Sequence, residues 1–262
     1  MNPFKIQRNL KSHTALSLGM CLCLSAHAQS TTTDLREVVV QSGRLEQKQF
    51  DAPASIYTID ADTLRSSGPQ VNISDVLNRV PGVVALNRNN YAQDVQISIR
   101  GFGARSAFGI RGIRLLADGI PATTPDGQGQ ASTVSLTSTD RIEVLTGPLA
   151  QLYGNASGGV IQTFTREAGE QPQLDVSTTM GSYGLRRHDL QFSGRTGNVG
   201  IVADYSTFDI DGYRKNSAAQ RKQFNGVLTT QLQEDTKLKL VANLFDMPLA
   251  QDPLGLKMSE LQ

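Results

Sequence analysis

The sequence predicts an α+β domain, a small mixed sheet with short helices, followed by antiparallel transmembrane β-barrel strands that leave the barrel incomplete. Between residues 50 and 168, short strand and helix signals are separated by glycine-containing turns. Beyond Gly169 and Pro172 the helix signals stop, and long runs alternate apolar and polar residues with a period of two. A third feature, an export signal at the N-terminus, places the chain outside the cytoplasm.

That signal consists of Lys5, Arg8 and Lys11, an apolar run over residues 15–24, and Ala26-His27-Ala28, which predicts cleavage before Gln29. Cys21 and Cys23 raise the question of a lipid anchor, but Met20 and Leu22 stand where a small residue is needed before a lipidated cysteine. Removing residues 1–28 leaves 22 basic and 24 acidic residues, a net charge of −2, with no thiol and a single imidazole, His188. Nothing in this charge draws the chain to nucleic acid. Disulfides, Cys/His metal sites and Cys/His catalytic pairs are excluded in the mature chain. No apolar run reaches the ~20 residues of a membrane helix, whereas barrel strands alternate and stay inconspicuous on hydropathy.

Residues 29–34 are polar and Thr-rich and lead into Leu35-Arg36-Glu37-Val38-Val39-Val40-Gln41, a leader carrying one strand. Within the α+β domain a strand over residues 55–59 is followed by Asp60 as N-cap of a short helix through Leu64, stopped near Gly68-Pro69. Asn72 is the expected cap of a second helix, with Asp75 at the third helical position and Ile73, Val76, Leu77 and Val80 as its apolar face; Pro81-Gly82 ends it. Further strands are expected at residues 83–86, 95–100, 113–117, 141–145 and 159–165, with tight turns such as Asp118-Gly119.

In the second region the apolar positions recur at Leu174/Val176/Met180, Leu190/Phe192, Val199/Ile201/Ala203/Tyr205, Phe224/Leu228/Leu232 and Leu238/Leu240/Ala242/Leu244. Residues 196–198 form a tight turn, while residues 211–220 form a long polar loop. Strands of about 9–11 residues with short turns on one side and longer loops on the other suit an outer-membrane barrel. A soluble β-sandwich fits this segment taken alone.

Several motifs occur together and in order. Asp75-Val76-Leu77 and Val80-Pro81-Gly82-Val83 are followed by Ile99-Arg100-Gly101-Phe102-Gly103 and by Leu116-Ala117-Asp118-Gly119-Ile120-Pro121. Then come Asp140-Arg141-Ile142-Glu143-Val144-Leu145-Thr146-Gly147-Pro148 and Leu152-Tyr153-Gly154-Asn155-Ala156-Ser157-Gly158-Gly159-Val160-Ile161. This series resembles the plug of TonB-dependent outer-membrane receptors. The resemblance implies residues 1–28 as signal peptide, 29–45 as leader with a TonB box, 46–170 as plug, and 171–262 as the first five or so strands of a barrel.

Under that resemblance Glu37, Val38, Val39 and Val40 are the TonB contact, donating an extended backbone to the partner's sheet edge. TonB and its inner-membrane energising complex would be the partner. Arg100, Arg141 and Glu143 are the expected plug–barrel contacts. The family usually has Arg before the last Gly-Pro, where this chain has Thr146. Ligand contacts are expected on outward plug loops at Arg88, Asn90, Tyr91, Arg105, Phe108, Asp126 and Gln128, where Arg and Asn can hold anionic oxygens and aromatics can cover a flat ligand. Residues 89–130 resemble the pyrroloquinoline-quinone transporter branch, while ferric siderophore receptors dominate the wider family. No cofactor and no metal are implied.

Gly101-Phe102-Gly103-Ala104-Arg105-Ser106 lacks the third glycine and the helix of a dinucleotide site. No nucleophile, base or metal constellation supports an enzyme. The rival from another class is a soluble periplasmic binding or interaction module. Plugged transporters use barrels of about 22 strands, so about five strands are expected to be a fragment or truncated product that does not transport alone, because open edges in lipid leave backbone groups unsatisfied.

Overall fold

The computed structural model describes residues 39–41, 47–48, 55–86, 89–106, 109–147 and 152–253. The signal-peptide reading, Glu37, Val38, Arg88 and Phe108 lie outside the described residues. Strand β1 (Val39–Val40) pairs antiparallel with β2 (Gln47–Lys48). After β3 (Ser55–Asp60), the Asp60 carboxylate accepts the Thr63 N–H at 2.8 Å and starts α1 (Ala61–Ser66), as its N-cap position predicts.

The cap of α2 (Ser74–Leu77) departs from the sequence reading. Asn72 does not cap it; the preceding residue is Ile73, with no side-chain cap bond. Instead the Asp75 carboxylate reaches back to the N–H groups of Val71 and Asn72 at 3.2 and 3.3 Å. In so short a helix the first-turn carboxylate reaches the free donors itself, so the returning half of a capping box suffices. The predicted apolar face holds: Ile73, Val76, Leu77 and Val80 are all buried.

The domain continues through β4 (Val83–Leu86), β5 (Gln96–Ile99), β6 (Ile110–Arg111), β7 (Ile113–Ala117), β8 (Ile120–Pro121), β9 (Gln128–Gly129), β10 (Thr139–Thr146) and β11 (Gly159–Thr165). Strand β5 stops at Ile99 because Arg100 turns the chain with φ +50°. The main sheet runs β3-β10-β11-β7-β8, antiparallel except for the parallel pair β11/β7. One face packs on Leu64, Ile73, Val76 and Leu77 of the helical segments and on Ile97 and Ile99 of β5. The other face carries a smaller cluster of Ile56, Leu116, Leu145 and Val160, into which Val40 of β1 inserts. Gly159 opens β11 at φ +141°, and a Cβ there would stand 2.6 Å from the Leu145 carbonyl oxygen, so only glycine lets β11 close on β10.

The second region is a five-stranded antiparallel meander of β12 (Gln173–Met180), β13 (Arg186–Thr196), β14 (Val199–Ile210), β15 (Ala219–Gln233) and β16 (Thr236–Ala250). Two-residue turns at 197–198 and 234–235 join strands at one end; residues 181–185 and 211–218 form longer loops at the other. Among the described residues β12 and β16 each pair with one neighbour, so the sheet does not close. Pro248 lies inside β16. The register slips where Gln220 faces Leu249 and Lys222 faces Asp246, so Pro248 falls in a bulge, where its missing N–H breaks no ladder bond.

The two faces of this wall are inverted relative to a soluble sheet. Val176, Leu190, Tyr205, Phe224 and Leu244 stand directly opposite one another across all five strands. This row points away from the α+β domain, with Val176 72% and Leu244 67% exposed. The adjacent row, Asp175, Gln191, Asp204, Asn225 and Asn243, is polar in every strand and points the other way. Gln191, Asp204 and Asn225 in that row are buried. Apolar side chains face out and polar ones face in, the arrangement of a strand set with lipid outside.

Candidate functional site

The inward polar face meets the α+β domain along a hydrogen-bonded seam. Arg187 of β13 is its centre: Nε and Nη2 donate to the Asp189 carboxylate at 2.7–2.9 Å, Nη2 donates to Thr137 Oγ1 at 2.7 Å, and Nη1 donates to the carbonyls of Pro69 and Gln70. One guanidinium therefore ties the turn after α1 and the loop before β10 to the wall, which its planar fork of five donors permits. Thr137 and Ser177 hydroxyls complete Asp189 at 2.9 and 3.1 Å. Along β14 and β15, Ser135 donates to Asp204 at 2.8 Å, Asn225 to Ser138 Oγ at 2.8 Å, Gln223 to the Thr133 carbonyl at 2.7 Å, and Arg221 to the Val71 carbonyl at 2.6 Å. Lys239 of β16 pairs with Asp118 at 2.7 Å, in the predicted Asp118-Gly119 turn. These wall residues were legible in the sequence as the polar half of the alternation, though not as contacts.

The residues expected to make those contacts lie elsewhere. Arg141 and Glu143 pair with each other at 2.9 Å on β10, on the face that carries Val40. Glu143 also accepts the backbone N–H of Gln41 at 2.9 Å, and the Arg141 cation lies 4.0 Å from the Phe164 ring centroid. Arg100 is exposed, and its backbone N–H donates to the Gly82 carbonyl at 2.7 Å. The described half of the expected TonB contact therefore rests beside Glu143: Val40 is fully buried, and Val39 is 37% exposed.

The outward turns divide the expected ligand residues. Asn90 is buried, and both ends of its amide are used: Nδ2 donates to Asp252 at 2.8 Å and Oδ1 accepts the Ala92 N–H at 3.0 Å. Gln93 donates to the other Asp252 oxygen at 3.0 Å, so this carboxylate after β16 clamps the turn. Asp126 is exposed and caps its own turn by accepting from the Thr124 hydroxyl and the Gln128 N–H. Those two bonds, the hydroxyl first, hold its carboxyl below the usual carboxylate range. Gln128 pairs with Arg111 through the β6/β9 backbone. Arg105 is exposed in a turn framed by Gln96, whose amide donates to the Ala104 and Ser106 carbonyls at 2.8 and 3.0 Å. Among the described residues no hydrogen bond joins Asn90 or Tyr91 to Arg105, Asp126 or Gln128.

Tyr91 is the predicted ligand residue that borders a cavity. Its ring centroid lies 5.0 Å from that of Phe208, and with Tyr183, Tyr213 and Leu185 it lines a space of about 320 Å³ at the long-loop end of the wall. Burial, with the Asp75 carboxylate second, pushes its hydroxyl up to about 12. A raised folded-state pKa keeps the full stability contribution below the ordinary value near 10 and loses it as pH rises toward 12. Absorbance titration at 295 nm is expected to show one late-ionising tyrosine, absent in Tyr91→Phe, and unfolding midpoints should fall above pH 10 in the wild type more than in that variant.

Residues 48–160 match the TonB-dependent Receptor Plug Domain. Three-quarters or more of the chain is similar in fold to solved receptors as well. The ferric citrate transporter FecA in its unliganded form superposes with TM-score 0.65 at 26% identity, over 81% of this chain and 34% of that one. The siderophore receptor PirA from Pseudomonas aeruginosa matches with TM-score 0.55 at 25% identity, over 75% and 36%. The chain carries a TonB-dependent receptor plug domain. The pyoverdine outer membrane receptor FpvA from Pseudomonas aeruginosa PAO1, bound to pyoverdine, shares the fold with TM-score 0.67 at 23% identity, over 80% and 30%. The chain thus spans about a third of the length of the receptors it matches.

The α+β domain is the plug, and the five antiparallel strands that follow are those of an incomplete barrel. Thr146, where an Arg is usual, is buried at the end of β10, and its hydroxyl donates to the Ser55 carbonyl at 3.3 Å. The cation beside Glu143 is Arg141, two residues earlier on the same strand face, whereas Thr146 lies on the other face.

Proposed function

We propose that the chain is the N-terminal part of a TonB-dependent outer-membrane transporter that binds and imports a scarce small ligand, a ferric siderophore or a quinone-type cofactor. The observation that carries this is the inverted wall: an apolar row outside, a polar row inside, and a plug hydrogen-bonded to the polar row. A soluble periplasmic module would expose that apolar row to water, so the wall favours the membrane reading.

In this reading residues 1–28 export the chain, Glu37–Val40 present an extended backbone to TonB, residues 46–170 occlude the lumen, and residues 171–262 begin the barrel. The long-loop end faces outside, because barrels of this kind keep short turns on the periplasmic side. Ligand would reach the plug from that end, beside Tyr91, with Arg88, Asn90, Arg105, Phe108, Asp126 and Gln128 on neighbouring turns. The five strands serve transport only inside a closed barrel, since lipid leaves no partner for the free edges of β12 and β16. The chemistry is binding and mechanical release; no covalent step is involved.

The test is uptake by cells carrying the natural gene as sole receptor, with and without functional TonB. Labelled ferric citrate, ferric enterobactin, ferric pyoverdine and pyrroloquinoline quinone are offered separately. Uptake of one of them that vanishes without TonB is the expected result. Absence of the protein from purified outer membranes would sink the proposal.

A further inference from the structure

We propose that the side-chain amides of Asn90 and Gln93 form a carboxylate seat on the plug, which Asp252 fills as an internal stand-in until a carboxylate of the incoming ligand displaces it; that the displacing group belongs to imported cargo rests on the transporter reading. Asn90 Nδ2 donates to Asp252 Oδ1 at 2.8 Å, and Gln93 Nε2 donates to Oδ2 at 3.0 Å, so each carboxylate oxygen has its own donor. Two donors set on the two oxygens of one anion match the shape of a carboxylate, and here amides supply them in place of a guanidinium.

The seat is shaped before a carboxylate enters it. Asn90 is 6% exposed, and its Oδ1 accepts the Ala92 N–H at 3.0 Å, which turns Nδ2 toward the seat whatever occupies it. A buried donor aimed in advance loses little freedom on binding, and leaving it without an acceptor is unfavourable. Exchange of one carboxylate for another keeps both bonds, whereas a ligand lacking a carboxylate would leave the Asn90 donor unpaired. That difference is what would select a carboxylate.

Asp252 is placed to leave. It stands two residues past the end of β16, whose pairing with β15 runs to Ala250, so withdrawing its side chain breaks no rung of the wall. Its neighbour Gln251 is tied to the 211–218 loop: its N–H donates to the Ala218 carbonyl at 2.9 Å, and its Oε1 accepts the Ala218 N–H at 3.1 Å. Tyr91, Tyr213 and Ser217 line the cavity of about 320 Å³. Seat and cavity are therefore adjacent along the chain on both sides, since Asn90 precedes Tyr91 and Ala218 follows Ser217. A ligand with an aromatic or apolar body for the cavity and a carboxylate for the seat uses both, and its arrival unfastens the chain after β16 from the plug.

The test uses the full-length natural receptor in detergent micelles, with acetate as the probe of the seat. Deuterium exchange of the peptide containing residues 89–93 is expected to rise about tenfold or more in Asp252→Ala. Sodium acetate, but not sodium chloride at equal ionic strength, should bring it back toward the wild-type rate. Asn90→Asp keeps the acceptor for Ala92 but sets a second carboxylate in the seat, so in Asp252→Ala combined with Asn90→Asp acetate should have no effect. Gln93→Glu takes its place if that variant does not fold. Ferric citrate and pyrroloquinoline quinone, both carboxylates, are then titrated. At least one should bind Asp252→Ala about tenfold more tightly than wild type, as expected when an internal competitor fills about nine-tenths of the seats. Exchange that is unchanged in Asp252→Ala, or that acetate restores no better than chloride, overturns the proposal. Acetate-specific recovery without a gain in affinity for either compound keeps the seat and refutes displacement by cargo. The transporter reading is decided separately, by outer-membrane location and TonB-dependent uptake.

Discussion

Arg187→Ala is expected to loosen the plug by about 3–5 kcal/mol, the usual cost of removing one partner from a buried ion pair. The guanidinium is almost wholly buried and makes bonds to Asp189, Thr137 and two backbone carbonyls. Alanine would leave the Asp189 charge buried with only the hydroxyls of Thr137 and Ser177. It would also leave the Pro69 and Gln70 carbonyls without their donor. Removing Asp189 as well should recover part of the loss, since the uncompensated charge goes with it. Lysine should not substitute, because a single ammonium cannot span two strands of chain and a carboxylate at once. The measurement is the urea midpoint of plug unfolding in the purified full-length protein, with barrel strands followed separately by far-ultraviolet dichroism. A change below 1 kcal/mol would show that the seam positions the plug without stabilising it.

The sequence made much of this fold legible, for reasons that differ between the halves. In the plug, Asp60, Pro81-Gly82 and Asp118-Gly119 act through local backbone chemistry, so the elements they bound could be read directly. The cap at Asn72 could not, because Asp75 competes for the same free donors and only geometry shows which carboxylate or amide reaches them. In the wall, the period of two was plain, and the alternation also contained the seam, since Arg187, Asp189, Asp204 and Asn225 all occupy the polar phase. What periodicity does not reveal is which plug loop each of them meets. Arg141 and Glu143 show the same limit from the other side: spacing puts them on one face of β10, but both faces of that strand are buried, and the one they occupy meets the N-terminal segment. The ligand turns were least legible. Asn90 and Asp126 carry the right chemistry for binding, and the structure also engages the Asn90 amide and one Asp126 oxygen in holding the turns, which residue type alone does not show.

Leu190→Arg separates a membrane wall from a soluble sheet by the size of its effect. Leu190 is 46% exposed and stands between Val176 and Tyr205 in the outward row. On a protein surrounded by water, a charge at such a position is usually neutral within about 0.5 kcal/mol, and it would even cover an apolar patch. In a barrel the same side chain faces hydrocarbon near mid-strand, where an arginine costs about 2–4 kcal/mol. Assembly in the outer membrane competes with degradation of unassembled protein, so a cost of that size should cut the folded receptor at least tenfold. The control is an arginine in place of Lys222, which lies on the same outward face toward the long-loop end of β15 and already carries a charge there. Folded receptor, read as the heat-modifiable band in purified outer membranes, is expected to fall for Leu190→Arg and to hold for Lys222→Arg. Equal yields of the two would mean that the outward row does not meet lipid, and the physical basis of the membrane reading would go with it.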